Sequence, residues 1–275
     1  MELILYWTKK GLVVAVMVIS NKYKYLFVES PITGSTAISA ELRENYDGKE
    51  ILRKHSRYYE FLKVAGKEIA KNYFVFSTIR NPLDAQVSAY FKYKTNHQNR
   101  FTTPTEWKRY GGSLSEKDLR IYKYVKKHNS DFSDYFKKFI KLPYDTWARL
   151  AHKNFDYLIR YENIQQDFTE VLKRIGIQQV RPLPEKNKTA KDKNFLEIYD
   201  PSIRQRAVNI FGPFMKEWGF EFPKEWGDIK ISPFAQIEYE IVGFMKSIYW
   251  RLTPKSNALQ RKKLLGELQQ LKIHS

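Results

Sequence analysis

Thr33, Gly34, Ser35 and Thr36 lie in the stretch ESPITGSTAIS, residues 29–39, between the apolar run KYLFV and a segment with helical spacing. Hydroxyls and a glycine at that junction suit an anion, because the first N–H groups of a helix have no intrahelical acceptor and the helix dipole favours negative charge there. The same residue types also make an ordinary Ser/Thr-rich helix start with no ligand. A Walker A loop is excluded: its G-x-x-x-x-G-K-[ST] pattern is absent, and the residue after Pro31 is Ile32 rather than a cation.

Arg80 and Ser88 form a second candidate pair. Arg80 closes the apolar run NYFVFSTI, and Ser88 follows eight residues later, about two turns along the next helix. One guanidinium and one hydroxyl at that spacing can converge on a second phosphate. His55, in RKHSRYYEF, lies between the two motifs in chain order. A lone His is more often a surface or helix-start residue, and His97, His128, His152 and His274 have no comparable placement.

These residues need elements to hold them. KYLFV (24–28), NYFVFSTI (72–79) and FDYLIRYE (155–162) read as strands with continuous rather than alternating apolar character. Strands of that kind, alternating with helices, predict an α/β fold: a central parallel sheet covered by helices on both faces, with a P-loop-like phosphate-binding loop. Asn81–Pro82 and Asp200–Pro201 predict capped helix starts. Residues 95–115 read as a long loop. GLVVAVMVI near the N-terminus reads as a buried strand, since TKKG interrupts the apolar residues before they reach membrane-span length and no small-residue cleavage site follows. A functional chain beginning near Met17 is an alternative reading. Two units are expected: an α/β domain over 1–230 and a C-terminal helical extension over 231–275.

Composition bounds the partners. With 43% hydrophobic and 16% aromatic residues the chain can bury a substantial core. A net charge of +18 recruits polyanions, namely nucleic acid, anionic polysaccharide, acidic lipid or a nucleotide bearing several phosphates. No RNP-type, helix-turn-helix or zinc pattern supports nucleic acid, and a small-molecule kinase lacks its Walker Lys. The absence of cysteine excludes disulfides and thiolate metal sites and favours a reducing compartment, so the expected location is cytoplasmic.

PITGSTAIS (31–39), followed by FSTIRNPLDAQVSAYFKY (76–93), resembles the two nucleotide-binding motifs of sulfotransferases that use 3′-phosphoadenylyl sulfate. DYLIRYENIQQDFTEVLKRIGI (156–177) is similar to that family's third core strand and following helix, and the likeness runs over about residues 24–223. The resemblance implies a phosphosulfate held by Thr33, Gly34, Ser35 and Thr36, a 3′-phosphate held by Arg80 and Ser88, and His55 as catalytic base; should His55 prove dispensable, a nearby carboxylate such as Glu60 is the fallback. It implies 3′-phosphoadenylyl sulfate as donor co-substrate, no metal, and a hydroxyl acceptor.

Two departures matter. Ile32 stands where the family carries Lys or Arg on the leaving-group oxygen, so either another cation, such as Lys54 or Lys188, substitutes, or catalysis is impaired. The R-K-G loop of the cytosolic small-molecule branch is also missing, which points to the carbohydrate-type branch and an acceptor that is a carbohydrate or glycolipid. The alternative is a sulfotransferase-like protein that binds nucleotide without turnover. Residues 94–153 are expected to shape the acceptor site. The apolar cluster Ile241, Phe244, Met245 and Ile248, with Trp250, Arg251 and Arg261–Lys263, is a candidate for peripheral membrane contact.

Overall fold

The computed structural model describes residues 17–52, 56–103, 116–144, 153–185, 195–253 and 256–273. Every residue of β1 (Met17–Ser20) and β2 (Tyr25–Val28) is buried, as a strand covered on both faces requires. Side chains alternate across the sheet. Met17, Ile19, Leu26 and Val28 enter one core, whereas Val18, Tyr25 and Phe27 enter another on the opposite face.

Among the described residues the sheet has five strands in the order β3-β1-β2-β4-β5. β4 (Phe74–Ile79) lies parallel between β2 and β5 (Tyr157–Arg160). β1 pairs antiparallel with both β2 and β3 (Lys49–Ile51), so the parallel strands form one side of a mixed sheet. The buried-strand reading of GLVVAVMVI holds for Met17–Ile19. β3 escapes sequence reading because it is three residues long and two of them, Lys49 and Glu50, are charged edge residues, leaving Ile51 alone to enter the core.

Helices cover both faces. α1 (Ser35–Asn45) presses Ile38 and Leu42 onto the face of Val18 and Phe27, joined by Phe168 and Leu172 of α7 (Ile164–Arg174). The opposite face is closed by Phe61 of α2 (Tyr58–Ala65), with the short α3 (Lys67–Ala70) following. Leu264 and Leu268 of α10 (Ala258–Ile273) join that same core, so the last helix is built into the sheet's cover. A third core unites α4 (Pro82–Lys94), α5 (Glu116–Lys127), α6 (Phe132–Phe139) and α8 (Pro201–Glu217) through Val87, Val125, Phe136 and Phe211. The expected caps are present. The Asn81 side chain accepts from Leu83 N with Pro82 in the first turn, and Asp200 does the same for Ser202 N beside Pro201. α9 (Pro233–Leu252) packs a narrow inner face, Ala235, Tyr239 and Gly243, against the domain.

Candidate active site

β2 and β4 are parallel neighbours with Val28 opposite Ser77, so the residues that follow each strand leave the sheet at the same end. The loop after β2 and Arg80 after β4 therefore meet outside the carboxyl ends of the strands, where open α/β sheets take their ligands.

The loop is held by its own hydroxyls. Thr33 Oγ1 donates to the Ser30 carbonyl oxygen at 2.8 Å and contacts Thr78 Oγ1, and Ser35 Oγ donates to the same carbonyl at 2.7 Å. Ser30 and Ser77 hydroxyls lie 3.0 Å apart, and Ser77 Oγ donates to Val28 O at 2.6 Å, fastening the loop to β4. This corrects the expectation that Thr33 and Ser35 offer side-chain donors. Both hydroxyls are buried and turned into the loop. What these residues can present to an anion is backbone N–H at the start of α1. Thr36 is half-buried on the first turn. Gly34 has φ +77°, and a Cβ there would lie 2.7 Å from Ile164 Cδ1 and 3.1 Å from Tyr161 Cδ2, so the glycine meets both a left-handed backbone and a close neighbour.

Arg80 and Ser88 are brought together. Arg80 Nη2 donates to Ser88 Oγ at 2.8 Å, and Nη1 donates to the Ile32 carbonyl oxygen at 2.9 Å. Asp84 takes Nε at 2.8 Å and Nη2 at 2.6 Å through one carboxylate oxygen. The guanidinium is buried and lies 3.8 Å over the ring of Tyr161. Because Ser88 Oγ accepts from Arg80, its own O–H remains a donor, and Nη1 keeps one further N–H.

Tyr161 is the residue sequence reasoning missed. It follows β5 at the same sheet end, in the turn Tyr161–Asn163, and covers both Arg80 and Gly34. Glu162 in that turn accepts from Asn81 N at 2.7 Å, tying the turn to the start of α4. The available signal was an aromatic residue immediately after a third parallel strand.

His55, Lys54 and Lys188 lie outside the described residues. The segment after His55 is fixed, and it removes Glu60 as the fallback base. Glu60 Oε1 accepts from Arg57 N at 3.0 Å, and Oε2 accepts from Ser256 N at 2.7 Å and Ser256 Oγ at 2.6 Å. A carboxylate that already accepts three hydrogen bonds and is 2% exposed is closed to a substrate hydroxyl. Arg57 Nη1 donates to the carbonyls of Trp250 and Thr253 at the end of α9. Burial pulls its pKa below the ordinary arginine value. Among the described residues no group of three or more His, Asp or Glu is placed to hold a metal ion.

A mixed sheet flanked by helices, with a strand–loop–helix turn beside a buried arginine from the next parallel strand, defines an α/β protein. The chain belongs to the sulfotransferase family, whose family model matches residues 12–213, well over half of its length. It is an enzyme of sulfuryl transfer. No curated protein and no solved structure matches the chain.

Proposed function

We propose that the protein transfers the sulfuryl group of 3′-phosphoadenylyl sulfate to a hydroxyl of a carbohydrate or glycolipid. The observation that carries this reading is the junction of two phosphate motifs on one guanidinium, since Arg80 touches Ile32 of the first and Ser88 of the second. Backbone N–H groups of residues 33–36 take the 5′-phosphosulfate, and Arg80 with Ser88 takes the 3′-phosphate. His55 removes the acceptor proton. The acceptor oxygen bonds to sulfur as the bond from sulfur to the bridging phosphate oxygen breaks, giving a sulfate ester and 3′-phosphoadenosine 5′-phosphate. Residues 94–153 shape the acceptor site. Within this stretch the described part supplies exposed lysines at 123, 126, 127, 137 and 138, a field suited to an anionic glycan.

Calorimetry with 3′-phosphoadenosine 5′-phosphate against ATP tests the donor, and a radiolabelled donor with a panel of glycans and glycolipids tests the acceptor. Equal affinity for ATP sinks the donor assignment. One observation favours a second reading. Ile32 puts an aliphatic side chain where leaving-group charge needs a cation, so nucleotide binding without turnover on any acceptor identifies a binding protein instead.

A further inference from the structure

A helix stripe of i, i+3, i+4 apolar residues normally faces a core. On α9 it faces outward. Phe234, Ile237, Ile241, Phe244, Met245 and Ile248 are between 44% and 82% exposed, and Leu252 continues the row at 76%. The inner face of the same helix is satisfied separately. Tyr239 is buried with Ile79 and Phe214, its hydroxyl bonded to Glu217, while Ala235 and Gly243 allow close approach. Among the described residues the outer row belongs to none of the domain's cores, along a 20-residue helix about 30 Å long.

We propose that this outer face of α9 seats on an anionic lipid surface. Charge selects that occupant. At the C-terminal end of the stripe Arg251 is exposed beside Leu252, and across the turn Leu259, Lys262 and Lys263 share one face of α10 by their spacing and are exposed. Glu238 and Glu240 flank the other half, so the basic corner is the end that meets phosphate headgroups. A chain of net charge +18 is drawn to an anionic surface and repelled by a second copy of itself. The described residues on either side of this corner are anchored to the domain, since Arg57 holds the Trp250 and Thr253 carbonyls and Glu60 holds Ser256. No described helix is long and apolar enough to cross a membrane, so the contact lies in the interface plane.

Flotation of the full chain with phosphatidylserine/phosphatidylcholine vesicles and with pure phosphatidylcholine vesicles tests this. The wild-type protein is expected to float with the anionic vesicles. Ile241→Ser/Phe244→Ser, both at exposed positions, should weaken partitioning by about tenfold or more with an unchanged melting temperature. Lys262→Gln/Lys263→Gln should weaken it roughly fivefold per lysine. Absence of flotation overturns the proposal. So does flotation that is salt-sensitive yet indifferent to the serine substitutions, which marks attraction to net charge or contact through another segment. Sedimentation of a dimer that Phe244→Ser dissociates, without vesicle binding, makes the face a self-association surface and overturns it equally.

Discussion

Arg80 Nη1 donates to the carbonyl oxygen of Ile32 at 2.9 Å, so the guanidinium of one proposed phosphate motif holds the backbone of the other. The loop conformation and the charge beside it are one mechanical unit, with Asp84 and Tyr161 fixing the guanidinium from two further sides. Arg80→Ala should therefore cost on the order of 2–5 kcal/mol in affinity for 3′-phosphoadenosine 5′-phosphate, by analogy with truncated buried charge pairs. Ser88→Ala should cost about 1 kcal/mol. Calorimetry reads both. A purely structural strut predicts a lower melting temperature for Arg80→Ala with unchanged affinity in the molecules that remain folded.

His55→Ala should lower turnover by roughly 10²–10⁴ and leave donor affinity nearly intact, the split expected of a general base. Glu60 cannot stand in for it, because Arg57 N and Ser256 occupy both carboxylate oxygens. Steady-state turnover paired with calorimetry decides the matter, and turnover that survives the substitution moves the base to another residue.

Gly34→Ala should destabilise the fold by about 1–2 kcal/mol, mainly through the left-handed backbone. The steric part is smaller, since the nearest atom to an added Cβ is the mobile end of Ile164 at 2.7 Å. Urea melts measure the loss. Trimming Ile164 to Val alongside should recover only a minor share, and full recovery would show that crowding dominates.

His97 has its pKa lowered from 6.5, first by burial and then by Lys92 and Arg100. The folded state thus favours the neutral imidazole, while the unfolded chain takes up a proton at the ordinary value. Its contribution is present above pH 6.5 and is lost as pH falls through the lower folded value. NMR titration should find a His97 midpoint below 6.5 that Arg100→Gln raises only in part, because burial is the larger cause. In His97→Gln the loss of stability on acidification should shrink.

What the chain discloses in sequence follows from how local each cause is. β2 and β4 are readable because burial on both faces leaves a near-continuous apolar run, and β5, half-buried at the sheet edge, because Leu158 and Ile159 stand between aromatic residues. Arg80 and Ser88 are readable because two helical turns fix their separation, and the caps at Asn81 and Asp200 because Pro follows each. β3 is not readable, since Ile51, paired with Met17, is its only core residue and the two before it are charged. Nor is the inward turn of the Thr33 and Ser35 hydroxyls, which depends on Ser30 and on Thr78 of a distant strand. The stripe on α9 is plain as a pattern. Its outward direction is settled only by Tyr239 and Glu217 on the other side.

Ile32 carries the last prediction. Its φ is +63°, a left-handed backbone that a β-branched side chain rarely adopts, and its side chain is 36% exposed. Lysine at this position removes the β-branch, and its ammonium reaches solvent or substrate without being buried. Ile32→Lys should therefore fold at least as stably as the wild-type protein. If leaving-group charge is otherwise uncompensated, turnover should rise by about 10- to 1000-fold, the range one preorganised donor supplies. Donor affinity should change little, because the N–H groups of residues 33–36 and the Arg80 contact to the residue-32 carbonyl do not depend on the side chain. If Lys54 or Lys188 already supplies the charge, turnover should stay level or fall in Ile32→Lys, and Lys54→Ala or Lys188→Ala should abolish it. Turnover of the three variants on a single accepted glycan separates the two cases. Inactivity of every variant with intact nucleotide binding makes the protein a nucleotide binder rather than a catalyst.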